Sequence, residues 1–153
     1  MSIHFNPITP DNWRVFNSLK VKEHQKKFVA SNVTILAKAY AYRNYNSRVH
    51  GIYSHDVPIG MIMQREFVKN EKLYCVLDQF MIDEEYQGKG YGKTAMELWL
   101  SMIKKEEKYE SIFLCYIEGD EPARNLYLNM GFHHTGEVDE DEITMEYKLK
   151  NIG

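Results

Sequence analysis

Gln87-Gly88-Lys89-Gly90-Tyr91-Gly92 stands between a strand pattern and a helix pattern. Before it, Leu73 to Ile82 is rich in β-branched, aromatic and other apolar residues and reads as a strand. After it, Lys93 to Lys104 has helical periodicity, and Tyr91, Ala95, Leu98, Trp99, Met102 and Ile103 share one apolar stripe. Three glycines in five residues let the chain turn tightly and bring its backbone close to a ligand. A turn of this kind feeding a helix start presents free N–H groups and the positive end of the helix dipole, a site for phosphate or pyrophosphate. Lys93-Thr94 follows Gly92, but Gln87 stands five residues before that glycine where a kinase-like phosphate loop needs its first Gly, so that spacing is not met.

Ser111 to Ile117 is nearly all apolar, as in a buried parallel strand. With the strand and helix before it, it makes a strand–helix–strand crossover, which pairs the strands in parallel and is right-handed in nearly all proteins. Ligands favour the carboxyl ends of such strands, where the glycine loop sits. Pro122 then suits the first turn of another helix carrying Ala123, Leu126, Tyr127 and Met130, with Asp120 and Glu121 at its positive end and Gly131 closing it. Phe132 to Glu137 and Ile143 to Leu149 read as a last hairpin.

Upstream, residues 3–8 alternate as a short strand. Asp11 reads as the N-cap of a helix with Trp13, Phe16 and Leu19, and Ser31 or Asn32 caps a second helix to about Tyr42. Arg48–Ser54, Ile59–Val68 and Leu73–Ile82 read as an antiparallel meander, with turns at His55-Asp56-Val57-Pro58 and Lys69-Asn70-Glu71-Lys72. The order predicts an α+β (mixed α/β) fold. Its central sheet is mixed but mostly antiparallel, with helices on both faces, in a single domain over 1–153.

The chain has 153 residues, 44% hydrophobic and 27% charged, with a net charge of -3. That size holds a core of its own. The charge leaves no footprint for nucleic acid, and no apolar run approaches the ~20 residues of a membrane span. No leader pattern opens the chain, so a cytoplasmic protein is expected. Cys75 and Cys115 sit in apolar runs outside any C-x-x-C motif and read as reduced core thiols. The six histidines form no metal set, and no metal is expected. His133 and His134 begin a strand and point to opposite faces.

Two segments resemble the GNAT superfamily of acetyl-CoA-dependent N-acetyltransferases. Gln87-Gly88-Lys89-Gly90-Tyr91-Gly92 matches the family's Q/R-x-x-G-x-G/A. Ala123-Arg124-Asn125-Leu126-Tyr127 with Gly131-Phe132 is similar to its N-x-x-A-x-x-L-Y-x-x-x-G-F segment. Leu77-Asp78-Gln79-Phe80-Met81-Ile82-Asp83-Glu84-Glu85-Tyr86-Gln87 and Glu23-His24-Gln25-Lys26-Lys27-Phe28-Val29-Ala30-Ser31 resemble bacterial spermine/spermidine acetyltransferases within it. Two departures stand out. The family's Asn, seven residues before the Tyr, is Asp120 here, which cannot donate a side-chain hydrogen bond when ionised. His50 stands where relatives often carry Pro.

The resemblance implies a splayed parallel pair formed by strands 4 and 5, with acetyl-CoA as co-substrate. Its pyrophosphate would meet Gln87, Gly88, Lys89, Gly90, Tyr91, Gly92 and Lys93, while Thr94 either contacts a phosphate or faces solvent. Backbone groups of Phe80, Met81 and Ile82 would hold the pantetheine and polarise the thioester carbonyl, where negative charge develops on attack. Asp120, Asn125 and Tyr127 would complete the cofactor side. Tyr127 is the candidate acid, since a phenol with a pKa near ~10 holds a proton for the departing thiolate. The attacking amine must lose a proton, and Asp78 or Glu23 can accept it; Asp78 is placed with the side-chain parity of Phe80. Asp83, Glu84 and Glu85 read as a solvated charge run. Tyr40, Tyr42, Tyr45 and Tyr53 either line a channel for a cation or pack as ordinary half-buried residues.

The expected activity is acetyl transfer by direct attack of a small cationic primary amine, spermidine or spermine first. The alternatives are an aminoglycoside, an amino acid or a protein amine as acceptor, or a non-catalytic acyl-CoA sensor. A homodimer is expected by the same resemblance.

Overall fold

Strands run at Ile3–Pro7 (β1), Arg48–Ser54 (β2), Val57–Lys69 (β3), Lys72–Ile82 (β4), Ser111–Ile117 (β5), His133–Asp139 (β6) and Glu142–Lys148 (β7) in the computed structural model, which describes residues 2–150. Helices occupy Trp13–Ser18 (α1), Asn32–Ala41 (α2), Tyr91–Glu106 (α3) and Glu121–Met130 (α4). The strands form one sheet in the order β1-β2-β3-β4-β5-β7-β6. Every neighbouring pair is antiparallel except β4 and β5, which the α3 crossover makes parallel.

The two faces carry separate cores. Trp99, Met96 and Ile103 of α3 and Tyr127 of α4 pack with Ile52, Ile62, Leu77, Ile112 and Leu114 of the sheet. On the other face Phe16 of α1 and Ile35 of α2 pack with Met61, Met63 and Met81. Each large side chain buried in this way contributes roughly 1.5–3 kcal/mol. Trp99 is fully buried, and its Nε1–H donates to Gln64 Oε1 at 2.9 Å, so the indole leaves no orphan donor.

Local chemistry sets the ends of the elements. Ser31 caps α2 by accepting from Thr34 N, and Asp120 caps α4 by accepting from Ala123 N, with Pro in the first turn and Gly131 at φ 104 after it. Several boundaries depart from the sequence reading, among them the starts of α1, β3 and α3. Asn12, not Asp11, precedes α1, and its side chain turns back to Thr9 N and Pro7 O. Val57 and Pro58 belong to β3, because a register shift at Ile52/Tyr53 opens the ladder where Pro58 lacks a donor. α3 begins at Tyr91, two residues earlier than Lys93.

A second irregularity matters for function. In the β3–β4 ladder Met63 pairs with Gln79 and Gln64 with Leu77, so Asp78 is an extra residue, a β-bulge. Alternation breaks there. Asp78 reaches Lys38 of α2, whereas Phe80 lies against Gly92 of α3 on the opposite face. The parity expected between Asp78 and Phe80 is therefore wrong, and the bulge is the cause.

Candidate active site

β4 and β5 pair only at Cys75–Ile112, Val76–Phe113 and Leu77–Leu114. Beyond that point β4 stays paired with β3 as far as Ile82, and β5 with β7 as far as Ile117. The edges that face each other are left without a ladder, and the strands part next to the bulge. A cleft of about 310 Å³ fills the opening, lined by Phe80, Met81, Ile82, Gln87, Gly88, Gly92, Asp120 and Tyr127 among others.

Strand alternation decides which backbone groups face this gap. Asp83 N donates to Ile59 O at 2.7 Å, so Asp83, and Met81 two residues earlier, turn their N–H and C=O toward β3. Phe80 and Ile82 turn theirs toward the gap. The carbonyl of Ile82 is taken by Gln87 Nε2 at 2.8 Å. The sequence reading gave free backbone groups to three consecutive residues. A pleated strand offers alternate ones, and Met81 is engaged with β3 and buried beneath α1 and α2.

The glycine loop closes one end of the cleft. Gly88 and Gly90 have φ of 74° and 88°, a region that side chains avoid. Gly90 is the N-cap of α3 and offers no side chain, and the first turn contains no acidic residue. The first intrahelical bond near this end runs from Thr94 N to Gly90 O at 3.1 Å. The N–H groups of Tyr91, Gly92 and Lys93 therefore have no acceptor within the helix. Gly92 brings α3 onto β4: a Cβ there would sit 3.6 Å from the Phe80 ring. Lys89 and Lys93 are exposed; Lys93 lies 4.0 Å from Glu97, and Lys89 lies 5.9 Å from the Tyr86 ring. Thr94 is half-buried in the first turn.

Tyr127 projects from α4 into the cleft, 7% exposed. Burial pushes its phenol pKa well up, and the Asp120 carboxylate pushes it further. The hydroxyl holds its proton at any ordinary pH. Asp120 lines the same cleft; burial raises its carboxyl pKa and Glu121 adds to this, against the Ala123 N–H that lowers it. Asn125 is exposed on α4, away from the cleft lining.

The two carboxylates considered as bases have different fates. The Asp78 side chain is 3% exposed and bonds Lys38 Nζ at 2.6 Å and Arg65 Nε at 2.7 Å. Burial alone would raise its pKa, but the bonds to Lys38, Arg65 and Gln79 outweigh burial and hold the carboxyl below its usual range. Asp78 lines the cleft as a fixed anion shared by two cations. Glu23 is 87% exposed, pairs with Lys26 at 2.6 Å and does not line the cleft.

Other expectations change as well. Asp83 is buried rather than solvated and accepts from Lys20 N at 2.9 Å and Glu85 N at 3.3 Å. Tyr42 lies under Arg65, with the guanidinium 4.4 Å from its ring, and Tyr40 is covered by Arg43 at 4.3 Å. Tyr40, Tyr42, Tyr45 and Tyr53 do not line the cleft. Cys75 is a core thiol, pushed up to about 12 by burial, but Cys115 is exposed and lines the cleft. Gln25, Phe28 and Tyr116 also line it. Gln25 and Phe28 lie within the early segment that carried the subgroup resemblance, yet no periodicity marked them as wall residues. Cys115 and Tyr116 read only as strand core.

A second cavity of about 590 Å³ opens on the α2 side of the sheet and shares Phe28, Leu77, Asp78, Gln79, Cys115 and Tyr116 with the cleft. The gap between β4 and β5 therefore communicates with both faces. The second cavity adds Lys38 and Arg65, the aromatic cluster Phe67, Tyr74 and Phe113, and Glu137 and Glu142.

Residues 12–132 match the family model described as acetyltransferase (GNAT) family. The chain belongs to the GNAT acetyltransferase family, whose chemistry is acyl transfer from acetyl-CoA to an amine. It is 31% identical over 145 residues to a spermine/spermidine N(1)-acetyltransferase of Bacillus subtilis, covering 91% of this chain and 93% of that protein. The fold is also that of a spermidine N-acetyltransferase from Vibrio cholerae, solved with CoA and spermine. Its TM-score is 0.76 at 18% identity, with 96% and 95% of the two chains covered. An aminoglycoside N(6')-acetyltransferase from Legionella pneumophila has a TM-score of 0.74 at 15% identity, covering 96% of this chain and 92% of that one.

Proposed function

We propose that this protein transfers the acetyl group of acetyl-CoA to a primary amine of a polyamine, spermidine or spermine, by direct attack. The observation that carries the acceptor is the similarity to the Bacillus subtilis enzyme along almost the entire length of both chains. The geometry of the cleft supports the chemistry.

The thioester arm enters the gap from the α3–α4 face. The free N–H groups of Tyr91, Gly92 and Lys93 and the turn of Gly88 to Gly90 receive the pyrophosphate, with Lys89 and Lys93 adding attraction from outside. The N–H groups of Phe80 and Ile82 face the arm, and one of them polarises the thioester carbonyl as negative charge develops there. The amine arrives through the second cavity. Glu137 and Glu142 on its β6–β7 wall offer partners to a cationic chain alongside the cavity's own Lys38, Arg65 and Lys69, and the aromatic cluster gives its methylenes a surface. Tyr127, kept protonated by burial, gives its proton to the departing thiolate. Asp78, tied to Lys38 and Arg65, stays ionised beside the attacking nitrogen instead of taking its proton, and the protons the ammonium loses leave to solvent through the second cavity, while the thiolate receives the one from Tyr127.

The test is release of CoA thiol from acetyl-CoA against spermidine, spermine, aminoglycosides, amino acids and peptides. Saturable turnover with the polyamines is the expected result. Turnover confined to another acceptor keeps the chemistry and sinks the polyamine assignment. CoA binding with no turnover on any amine sinks the enzyme reading in favour of an acyl-CoA sensor.

A further inference from the structure

Two segments far apart in sequence are clasped across the mouth of the cleft. Gln25 sits in a short 3-10 turn, Glu23–Gln25, on the segment between α1 and α2. Its Nε2 donates to Gln87 Oε1 at 2.8 Å, and Gln87 Nε2 donates back to Gln25 Oε1 at 2.9 Å. The orientation of both amides is determined by their other partners. Gln25 Oε1 also accepts from Lys22 N at 3.0 Å, and Gln87 Nε2 also donates to Ile82 O at 2.8 Å. Turning either amide over would set donor against donor or acceptor against acceptor.

The same segment is tied down a second time. Lys20 N donates to the buried Asp83 at 2.9 Å, and Glu84 N donates to Lys20 O at 2.8 Å. The segment is thus held to the β4–α3 junction at two points, and Gln25 is the one next to the glycine loop.

The loop itself has little else to hold it. Gly88 is exposed, and a Cβ there would meet nothing within 4 Å. Nothing packs on the loop at that point, so its position depends on its two ends. The far end is Tyr91, which begins α3 with its ring at 6.0 Å from that of Tyr86. The near end is Gln87, whose side chain is shared between Gln25 and the last carbonyl of β4.

We propose that Gln25 is a positioning residue for the acyl donor: through Gln87 it sets where the glycine loop begins, and so the affinity for CoA. The inference rests on the acyl-transfer reading, but its test needs no acceptor. CoA binding is measured by calorimetry for the parent chain, Gln25→Leu, Gln25→Glu and Gln25→Glu combined with Gln87→Arg, with the melting temperature of each.

Gln25→Leu removes both bonds of the clasp and is expected to weaken CoA binding about fivefold or more, the equivalent of about 1 kcal/mol. Saturating acetyl-CoA should restore kcat, so the loss appears in KM. Gln25→Glu still accepts from Lys22 N and Gln87 Nε2 but cannot donate, and should fall between Leu and the parent. Pairing that carboxylate with Gln87→Arg, which keeps a donor for Ile82 O, should recover affinity beyond the sum of the single changes. A parent that binds CoA while Gln25→Leu binds it equally well overturns the inference alone. So does a set in which only the melting temperatures move and the double variant shows no coupling in affinity. A folded parent that fails to bind CoA overturns the acyl-transfer reading, and the clasp with it.

Discussion

Tyr127 is the residue on which the proposed chemistry turns. Removing its hydroxyl by Tyr127→Phe leaves the apolar ring packing with Phe132 and takes away the proposed proton donor. kcat should fall about 100-fold, the size of a general-acid contribution, with the Kd for CoA within about twofold. Unchanged turnover in a stopped assay of thiol release would remove Tyr127 as the acid. Asp78 makes the opposite prediction. Asp78→Asn should leave the pH profile of kcat/KM where it is, since in the proposed chemistry the carboxyl stays a fixed anion and is not the base. It should cost about 3 kcal/mol in urea unfolding, because Lys38 and Arg65 lose a shared buried anion. A shifted acid limb would restore Asp78 as the base. At this scale the sequence was legible in part. The Tyr127 motif named a cleft residue correctly. Whether Asp78 was a base or a counter-ion depended on Lys38 and Arg65, which are 40 and 13 positions away along the chain.

At the scale of elements, the loop and α4 carry the testable statements. Gly90→Val places a β-branched side chain at φ 88°, a strain of about 1–2 kcal/mol or more at the start of α3. CoA affinity should drop about tenfold by calorimetry; an unchanged Kd would move the pyrophosphate elsewhere. Asp120→Asn keeps a good N-cap on α4. The parent carboxyl has a raised pKa, so its ionisation opposes folding, and its contribution grows less favourable as pH rises through that pKa. The Asn variant should therefore melt higher than the parent at neutral pH and no differently once Asp120 is protonated. Thermal scans at both pH values check the sign. Element types were readable because the periodicities are strong: the bounds of β2 and β5 coincide with the sequence reading. What escaped it were single-residue irregularities. A ladder shift admitted Pro58 to a strand, and the bulge at Asp78 reversed a face, because neither leaves a mark in hydrophobic period.

For the whole molecule, the sheet separates two cores, and the one on the α3 face is threaded by a buried polar contact at Gln64. Its Oε1 accepts from Trp99 on α3 and meets His50 Nε2 of β2 at 2.8 Å. Burial lowers the His50 pKa from its usual 6.5, against the Gln64 bond that raises it. A base with a depressed folded pKa is stable while neutral. Its contribution is intact above pH 6.5 and is lost as pH falls from there through the folded value. Unfolding measured from pH 7 to pH 5 should show stability declining, and declining less in His50→Phe, which keeps the Trp99–Gln64 bond. An equal slope in both would place the titration elsewhere. The overall architecture was legible because chain order and crossover handedness leave few topologies for these elements. One wall of the pocket was not, since Val21, Gln25, Phe28 and Val29 come from the 20–30 segment, which has no regular period to read.

The bulge at Asp78 acts as a phase change in the strand. Upstream of it β4 keeps one alternation, with Cys75 and Leu77 in the α3 core, and downstream Phe80 and Ile82 return to that core after two steps off it. Substituting Asp78 leaves this offset in place. Deleting it would not turn the strand over either: Gln79 alone would stand between Leu77 and Phe80, still opposite Met63, and Phe80 and Ile82 would keep their place on α3 in an even beat. An added residue between Gln79 and Phe80 is what would rotate them off α3 and hand their open backbone groups to β3. A chain shortened by Asp78 should therefore still bind CoA, while one lengthened after Gln79 should not.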